Sequence, residues 1–326
     1  MRFAEQWSWC TVDSIRDVTS TIREFRLRPE NGRVAPYSPG SHITVSLLID
    51  GQPARRSYSL VENSDPTTYR IAVRLAPDSR GGSRGMWNLQ AGARVETTNP
   101  TSLLDIDWSR KNYCLIAGGI GITPIVSIAA ALRRRNIDAP LHYAAKSRGD
   151  AAFLDELTAL LGDRLTVHAS DEGARVDLDA TFHALPDDAI AVICGPMRML
   201  EAARRAWNNA GRAPADLRYE TFGSSGLMPT AEFRVRLKDS DTELVVPQNS
   251  SMLDALNGAG FEVISDCQRG ECGVCAVDVV AVEGAIDHRD VFFSDQQKQE
   301  NRKICPCVSR AIGVVTIDTL YRAEAA

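Results

Sequence analysis

Five cysteines lie close together near the end of the chain, and their spacing is that of metal ligands. Cys267, Cys272 and Cys275 follow a C-x4-C-x2-C pattern, and Cys305 and Cys307 lie about thirty residues further on. Three thiolates at this spacing, with a distant fourth, are typical of a plant-type [2Fe–2S] cluster. Such a cluster takes up and releases single electrons, so the pattern predicts a one-electron transfer site.

Residues inside the cysteine loop favour iron–sulfur chemistry over zinc. Gly270 and Gly273 lie between the cysteines, where small residues let the backbone fold around the sulfides and donate N–H groups to them. Zinc also binds four thiolates, but its sites usually combine two short-spaced pairs rather than a triplet. Cys305 and Cys307 both remain candidates for the fourth ligand, because spacing alone does not decide between them.

A second candidate site lies in a strand-like run near residue 58, and it consists of Arg56, Ser57, Tyr58 and Ser59. A flavin requires a cation for its phosphate, hydrogen bonds to the isoalloxazine edge and an aromatic wall. Arg56, Ser59 and Tyr58 supply these in that order. The short motif is common on exposed strands, so it gains weight only beside other redox sites in the same chain.

A glycine-rich segment follows the flavin motif at Arg80, Gly81, Gly82 and Ser83. Glycines expose backbone N–H groups, and a helix N-terminus attracts phosphate. We therefore predict that this segment, with the Ser83 hydroxyl, cradles the flavin phosphate at a helix start before Met86.

Two glycine turns predict a nicotinamide site. The first links a strand to a helix and contains Gly118, Gly119, Gly121 and Thr123, with Pro124 where a G-x-G-x-x-G fingerprint has its third glycine. The second is Cys194-Gly195-Pro196, also between a strand and a helix. Both turns are expected at the carboxyl edge of a parallel sheet, where ligands bind. Cys194 lies either beside the nicotinamide ring or in the core.

An acidic pair after another strand bears on the choice of nucleotide. Asp171 and Glu172 follow the strand-like run 165–169. A carboxylate at this place binds the 2′-hydroxyl of NADH and repels the 2′-phosphate of NADPH. We therefore expect NADH to be the electron donor.

The elements that must position these residues indicate three domains. Short strands separated by Pro and Gly turns predict an antiparallel β-barrel flavin domain at 1–108. Alternating strands and helices predict an α/β parallel-sheet nucleotide-binding domain at 109–225. The remainder, 226–326, predicts an α+β ferredoxin domain after the candidate linker Gly223–Gly226.

Composition and charge restrict the class of protein. The chain has 326 residues, of which 24% are charged. Residues 231–326 hold 16 acidic and 10 basic residues. This excess of negative charge argues against binding to nucleic acid and favours docking to a basic patch on a partner protein. The uncharged stretch 113–132 is long enough to span a bilayer, but its glycines and Pro124 indicate a strand, a turn and a helix start instead. The sequence begins without a secretory pattern, so a cytoplasmic location is expected.

The order of these motifs resembles the phthalate dioxygenase reductase family, within the ferredoxin–NADP reductase-like flavoproteins, over nearly the whole chain. The resemblance implies an antiparallel flavin barrel, an α/β NAD domain and a β-grasp ferredoxin domain. It implies that Phe222, in the segment Glu220-Thr-Phe222-Gly223, packs near the flavin. It also implies that Cys307, in Cys307-Val-Ser-Arg310, is the fourth ligand, although Cys305 is a departure from the family pattern. Relatives with this domain order typically bind FMN, with FAD as the alternative.

The resemblance implies an NADH-dependent reductase that serves a Rieske-type oxygenase. Hydride would pass from NADH to the flavin, and single electrons would then pass through the cluster to the partner protein. No residue of the chain is expected to act as a catalytic acid or base. The alternatives are a stand-alone NADH reductase for ferric chelates or quinones, and a ferredoxin-type carrier. We expect a monomer that binds neither nucleic acid nor membrane.

Overall fold

A computed structural model describes most of the chain. The described residues are 6–49, 51–62, 65–77, 81–102, 104, 106–222, 228, 230–238, 240, 242–248 and 250–319. By internal contacts the chain divides into two units, Met1–Glu220 and Thr221–Ala326.

The first sheet is a nearly closed antiparallel barrel. Its strands are β1 Trp7–Asp17, β2 Ile22–Pro29, β3 His42–Ile49, β4 Gln52–Ser59, β5 Tyr69–Arg74 and β6 Arg94–Thr98, with helix α1 at Gly82–Trp87. The strand order is β4-β3-β6-β1-β2-β5, and an isolated bridge between Leu60 and Ile71 joins the two outer strands. Alternate residues such as Ile43 and Val45 point into the core, as expected for strands with one buried face. The predicted antiparallel barrel is confirmed.

The second sheet is parallel and lies in the same unit. Its strands are β7 Tyr113–Gly118, β8 Leu141–Ala145, β9 Leu165–Ala169, β10 Ile190–Cys194 and β11 Leu217–Glu220. They alternate with helices α2 Ile122–Arg134, α3 Leu154–Leu161, α4 Leu178–His183 and α5 Met197–Asn209. The order is β11-β10-β7-β8-β9, and every residue of β7 and β10 is buried. Apolar central strands of this kind are typical of parallel sheets covered by helices on both faces.

The third sheet belongs to the second unit and is mixed. Its strands are β12 Phe233–Leu237, β13 Glu243–Val246, β14 Val277–Asp287, β15 Lys303–Ile304 and β16 Arg310–Asp318, with helices α6 Met252–Gly258 and α7 Asp295–Glu300. The order is β13-β12-β16-β14-β15, with β12 and β16 parallel. Val235 and Val315 form its core together with Leu256 of α6. The predicted α+β architecture is confirmed.

Several element boundaries differ from the sequence-based expectations. The sequence predicts a helix over Ile125–Arg135, whereas α2 begins three residues earlier at Ile122, because Pro124 is tolerated in a first helical turn. The six-residue helices α4 and α7 were not predicted, since each is too short to show helical periodicity. Each predicted domain range contains one sheet, and the exact domain boundaries stay a prediction. The candidate linker 223–226 lies outside the described residues.

Candidate redox-cofactor sites

Four of the five cysteines of the second unit lie in two pairs, and the fifth, Cys305, lies beside Cys275. The sulfurs of Cys275 and Cys307 lie 3.3 Å apart, and the side chains of Cys267 and Cys272 also share a hydrogen bond. Two thiolates that bind one tetrahedral ion through bonds of about 2.3 Å lie about 3.8 Å apart. No three potential ligands surround a single point among the described residues. A binuclear cluster requires two thiolates at each iron, and the two pairs meet that requirement.

Both candidates for the fourth ligand lie close to Cys275. Hydrogen bonds from Cys305 and from Cys307 lower the pKa of the Cys275 thiol. Cys307 also interacts with Cys267 and accepts a hydrogen bond from the Gly270 backbone, whereas the partners of Cys305 are Cys275, Cys307 and Asp290. Cys307 therefore has the wider contact with the loop that carries the other three ligands, which favours the predicted choice.

Glycines let this loop pack tightly against the segment that follows β14. Gly270 and Gly273 have φ angles of +77° and +69°, which L side chains rarely adopt. A Cβ on Gly270 would lie 2.6 Å from the Val308 side chain, and one on Gly273 would lie 2.3 Å from the ring of Phe292. The small residues singled out in the sequence are therefore required by close approach as well as by backbone conformation.

The structure brings the two predicted flavin motifs together. Arg56 lies on β4, and a Cβ added to Gly82 would lie 2.5 Å from its Nε atom. Gly81, at a φ of +87°, precedes α1, so the guanidinium lies at the start of this helix as the phosphate prediction requires. The Ser83 hydroxyl accepts a hydrogen bond from the backbone N–H of Ala76 at 3.1 Å. Arg80 lies outside the described residues.

The other members of the flavin motif occupy distinct environments on β4. Tyr58 is half-buried, and burial raises the pKa of its hydroxyl, which stays neutral. Ser57 shares a hydrogen bond with Thr44 of the neighbouring strand at 3.0 Å. Ser59 is buried and donates to the carboxylate of Glu220 at 3.4 Å. The motif thus offers a cation, an aromatic ring and a hydroxyl within one strand.

Glu220 is a further candidate site residue, which the sequence analysis named only as part of the Phe222 segment. Its side chain is only 3% exposed, at the end of β11, where it is in register with Cys194 of β10. Burying a carboxylate is costly unless it is hydrogen-bonded, so a buried glutamate at this position is rarely present for packing alone. The available signal was a charged residue at the carboxyl end of a parallel strand, the edge at which ligands bind.

The two predicted nicotinamide turns pack against each other backbone to backbone. A Cβ on Gly121 would lie 2.2 Å from the carbonyl oxygen of Cys194, and one on Gly118 would lie 2.7 Å from the Pro196 ring. A Cβ on Gly195 would lie 3.2 Å from the Gly118 backbone. The structure therefore places both turns side by side at the carboxyl edge of the parallel sheet, as the sequence predicts.

The remaining residues of this site lie around that edge. Gly119 has a φ of +54° in the turn, and the buried Thr123 donates its hydroxyl to the carbonyl of Ile120 at 3.1 Å. Cys194 is fully buried at the end of β10. Phe222 is half-buried two residues after β11 ends.

Asp171 is exposed in the turn after β9, and its N–H donates to the carbonyl of Lys146, which follows β8, at 3.0 Å. The neighbouring Glu172 forms an ion pair with Arg148 at 3.0 Å. The turns after β8 and β9, where the ribose end of a nucleotide is expected, carry both signs of charge. The carboxylates of Asp150, Asp171 and Glu172 are equal in number to the cations of Lys146, Arg148 and Arg175.

Comparison with known proteins identifies two domains. The family of the 2Fe-2S iron-sulfur cluster binding domain matches residues 235–311, and the oxidoreductase NAD-binding domain matches residues 115–205. The first match covers all five clustered cysteines, and the second covers both nicotinamide turns. The protein therefore combines an NAD-binding domain with a [2Fe–2S] domain and is an oxidoreductase.

Relatives and solved structures match almost the whole chain. The heme-dependent oxidative N-demethylase beta subunit of Ectopseudomonas mendocina is 34% identical over 304 residues, covering 93% of this chain and 95% of that protein. The phenoxybenzoate dioxygenase subunit beta of Ectopseudomonas oleovorans is 38% identical over 290 residues, covering 87% and 88%. A crystal structure of phthalate dioxygenase reductase, described as a modular structure for electron transfer from pyridine nucleotides to [2Fe-2S], matches with a TM-score of 0.77, 29% identity and coverage of 96% and 98%.

The described helices were also compared with the length and apolarity that a bilayer requires. None of them is both long enough and apolar enough to cross one. The uncharged stretch 113–132 instead forms β7, a glycine turn and most of α2.

Proposed function

The chain belongs to the phthalate dioxygenase reductase family, and we propose that it is the NADH-dependent reductase of a two-component Rieske-type oxygenase. The observation that carries the proposal is the joint presence of two packed nucleotide turns and two pairs of thiols in one chain. A hydride donor and a one-electron site require a cofactor that accepts two electrons and releases them singly. The Arg56 and Tyr58 strand provides the place for it.

We propose FMN as that cofactor, on the basis of the family resemblance. Arg56 at the start of α1 would bind its phosphate, together with the backbone of Gly81 and Gly82 and the Ser83 hydroxyl. The half-buried ring of Tyr58 would cover one side of the isoalloxazine. When bound, the flavin converts two-electron chemistry into single-electron transfers to the cluster held by Cys267, Cys272, Cys275 and Cys307.

Ser59 and Glu220 would orient the reacting partners. Their hydrogen bond connects the flavin strand β4 to the last strand of the nucleotide sheet within one unit. The buried hydroxyl and carboxylate would limit access of bulk water to the reacting groups. Cys194, in register with Glu220, would border the same space. A role for Phe222 near the flavin stays a prediction from the family resemblance.

The electron donor is proposed to be NADH rather than NADPH. Asp171 is exposed at the carboxyl edge of the sheet and would accept a hydrogen bond from the 2′-hydroxyl of the ribose. A 2′-phosphate would meet the carboxylates of Asp171 and Glu172, and Arg148 is already ion-paired with Glu172. Lys146 and Arg175 lie on the same two turns, so the preference for NADH depends on Asp171 being the group that meets the ribose 2′-position.

The electron acceptor is proposed to be a Rieske-type oxygenase. Relatives are named as subunits of oxygenase systems, among them a phenoxybenzoate dioxygenase. The acidic balance of residues 231–326 would attract a basic patch on such a partner and accelerate association at low salt. A heme-containing oxygenase is the second candidate, because one relative is the beta subunit of a heme-dependent N-demethylase. We further propose that the reductase is a cytoplasmic monomer.

An anaerobic NADH titration of the purified protein tests the proposal. Flavin bands and the broad absorption of the cluster should both bleach with NADH and only weakly with NADPH. Extraction should release FMN, iron and acid-labile sulfide. A protein that holds no flavin, or whose flavin NADH does not reduce, would refute the reductase and leave the ferredoxin-type carrier.

Turnover with added acceptors separates the remaining alternatives. The proposal predicts slow oxygen and ferric-chelate reduction and a large increase in NADH oxidation when a purified Rieske-type oxygenase and its substrate are present. Equal stimulation by ferric chelates or quinones alone would favour a stand-alone reductase. Stimulation by a heme oxygenase but by no Rieske protein would identify the second candidate partner.

A further inference from the structure

A buried carboxylate lies between the two parts of the chain that carry the cluster cysteines. Asp290 has no exposed surface, and Ser309, two residues after Cys307, is 1% exposed. The Ser309 hydroxyl donates to Asp290 Oδ1 at 3.0 Å and accepts the backbone N–H of Arg289 at 3.1 Å. Burying a carboxylate is costly unless it is hydrogen-bonded, so this contact fixes the position of the Asp290 side chain relative to Ser309.

Further contacts hold the Asp290 carboxylate in one orientation. Its second oxygen accepts the backbone N–H of Phe293 at 3.0 Å, which closes a tight turn. His288 lies 3.5 Å from the first oxygen, and Lys298 donates to the Asp290 carbonyl at 2.6 Å. The side-chain carboxylate and the main-chain carbonyl of Asp290 are therefore both held by contacts within the protein.

The residues that follow Asp290 hold the loop of the first three cysteines. The backbone N–H groups of Val291 and Phe292 both donate to the carbonyl of Gly270, at 2.9 and 3.2 Å. A Cβ added to Gly270 would lie 2.8 Å from the Asp290 Cα atom, so this loop rests directly on the Asp290 backbone. Asp290 thus contacts the loop through its main chain and the Cys307 turn through its side chain.

We propose that the Asp290–Ser309 contact is a lock that fixes the separation of the three-cysteine loop from Cys307 and thereby governs retention of the cluster. The inference rests on the proposed function, since it assumes that these thiolates hold a [2Fe–2S] cluster. About thirty residues separate Cys275 from Cys307, so their 3.3 Å sulfur separation depends on contacts other than chain connectivity. Asp290 and Ser309 are positioning residues, because they act on the cysteines through the backbone.

The lock predicts a defined effect on cluster lifetime. Residues that orient metal ligands typically change metal affinity or activity about 10–100-fold when they are replaced. Asp290→Asn and Ser309→Ala should each accelerate release of the cluster to a chelator by roughly 10- to 100-fold. Because the two side chains bind each other, the double variant should release the cluster no faster than the more severe single variant.

The experiment uses the full-length protein with its cofactors and follows loss of cluster absorbance after addition of a chelator. Asp318→Asn is the control, because Asp318 is a partly buried carboxylate of the same unit whose bond with Lys238, at 3.0 Å, does not involve Asp290 or Ser309. The EPR spectrum of the reduced cluster is the second readout, since a merely destabilised fold would not alter its g values. Ser309→Ala removes a single hydroxyl and serves if Asp290→Asn does not fold.

The outcomes separate the lock from the proposed function. Faster release and altered g values in the Asp290 or Ser309 variant, with a normal Asp318 control, support the lock. Wild-type release rates in Ser309→Ala, or an equal effect of all three replacements, overturn the lock while the reductase function stands. A wild-type protein without acid-labile sulfide, even after anaerobic reconstitution, overturns the proposed function instead.

Discussion

The packing of the two nucleotide turns predicts that Gly121 tolerates no side chain. In Gly121→Ala the new Cβ would lie 2.2 Å from the Cys194 carbonyl oxygen and 2.8 Å from the Gly195 nitrogen. Both neighbours are backbone atoms, so either β10 or the glycine turn must move by about 1 Å to reach ordinary contact distances. Overpacking of this kind costs about 1–3 kcal/mol of folding free energy.

The functional loss should exceed the loss of stability. A displacement of about 1 Å at a reacting centre can lower a rate about 100-fold. The rate constant of anaerobic flavin reduction by NADH, measured by stopped flow, should therefore fall roughly 100-fold in Gly121→Ala. Reduction by dithionite should stay at the wild-type rate and the content of flavin and iron at wild-type values, because dithionite reduces the cofactors without binding at the nucleotide turns.

Gly258→Ala provides the control for this test, because Gly258 lies at the end of α6 in the other unit. A Cβ added to it would meet no described atom within 4 Å. This variant should reduce its flavin at the wild-type rate. A normal rate of flavin reduction in Gly121→Ala, at unchanged stability, would refute the argument that the two turns form the nicotinamide site.

Three further predictions follow from other parts of the molecule. Cys307→Ser should remove the [2Fe–2S] EPR signal and Cys305→Ser should retain it, because Cys307 has the wider contact with the cysteine loop; the reverse pattern would assign the fourth ligand to Cys305. Arg56→Ala should weaken flavin binding about 10- to 100-fold in a fluorescence titration, as loss of a charge-assisted hydrogen bond to phosphate implies, and unchanged affinity would contradict that role. Burial raises the pKa of Glu24, but hydrogen bonds from arginines such as Arg70 lower it by a larger amount. The net result is a pKa below the ordinary value of a glutamate. Its ion pairing therefore stabilises the fold above the unfolded-state pKa and is lost as the pH falls through the folded one; Glu24→Gln should cost roughly 3 kcal/mol in urea unfolding at pH 7 and much less at pH 3, and a pH-independent cost would refute the sign.

Local patterns were sufficient for most of the fold. The sequence predicts strands over Leu141–Ala145 and Leu165–Ala169, and β8 and β9 have these bounds although β9 is only partly buried at the edge of the sheet. The sequence also predicts a helix over 152–161, whereas α3 begins at Leu154, since Phe153 has a φ of +60°. That conformation is rare for an aromatic residue and follows from tertiary packing, so no sequence pattern indicates it.

The sequence predicted which residues belong to the candidate sites, but it did not predict which of those residues contact one another. The glycine turn at Gly118 and the Cys194 turn were identified separately, but their contact depends on β7 and β10 being neighbours in the sheet. Glu220 was named only within the Phe222 segment, because its partner Ser59 is 161 residues away and no local pattern relates the two. Ser309 was named only within Cys307-Val-Ser-Arg310, and its hydrogen bond to Asp290 gives both residues a structural role.

The sequence by itself determined which chemistry the chain can support, since cysteine spacing, glycine turns and strand periodicity are properties of neighbouring residues. Tertiary structure alone decided which groups meet: the pairing of Cys275 with Cys307, the burial of Glu220 beside Ser59 and the contact of Asp290 with Ser309. These contacts join residues that are far apart in the chain. Their distances are set by strand register and by the close packing of the interior, which depend on the whole fold rather than on any local segment.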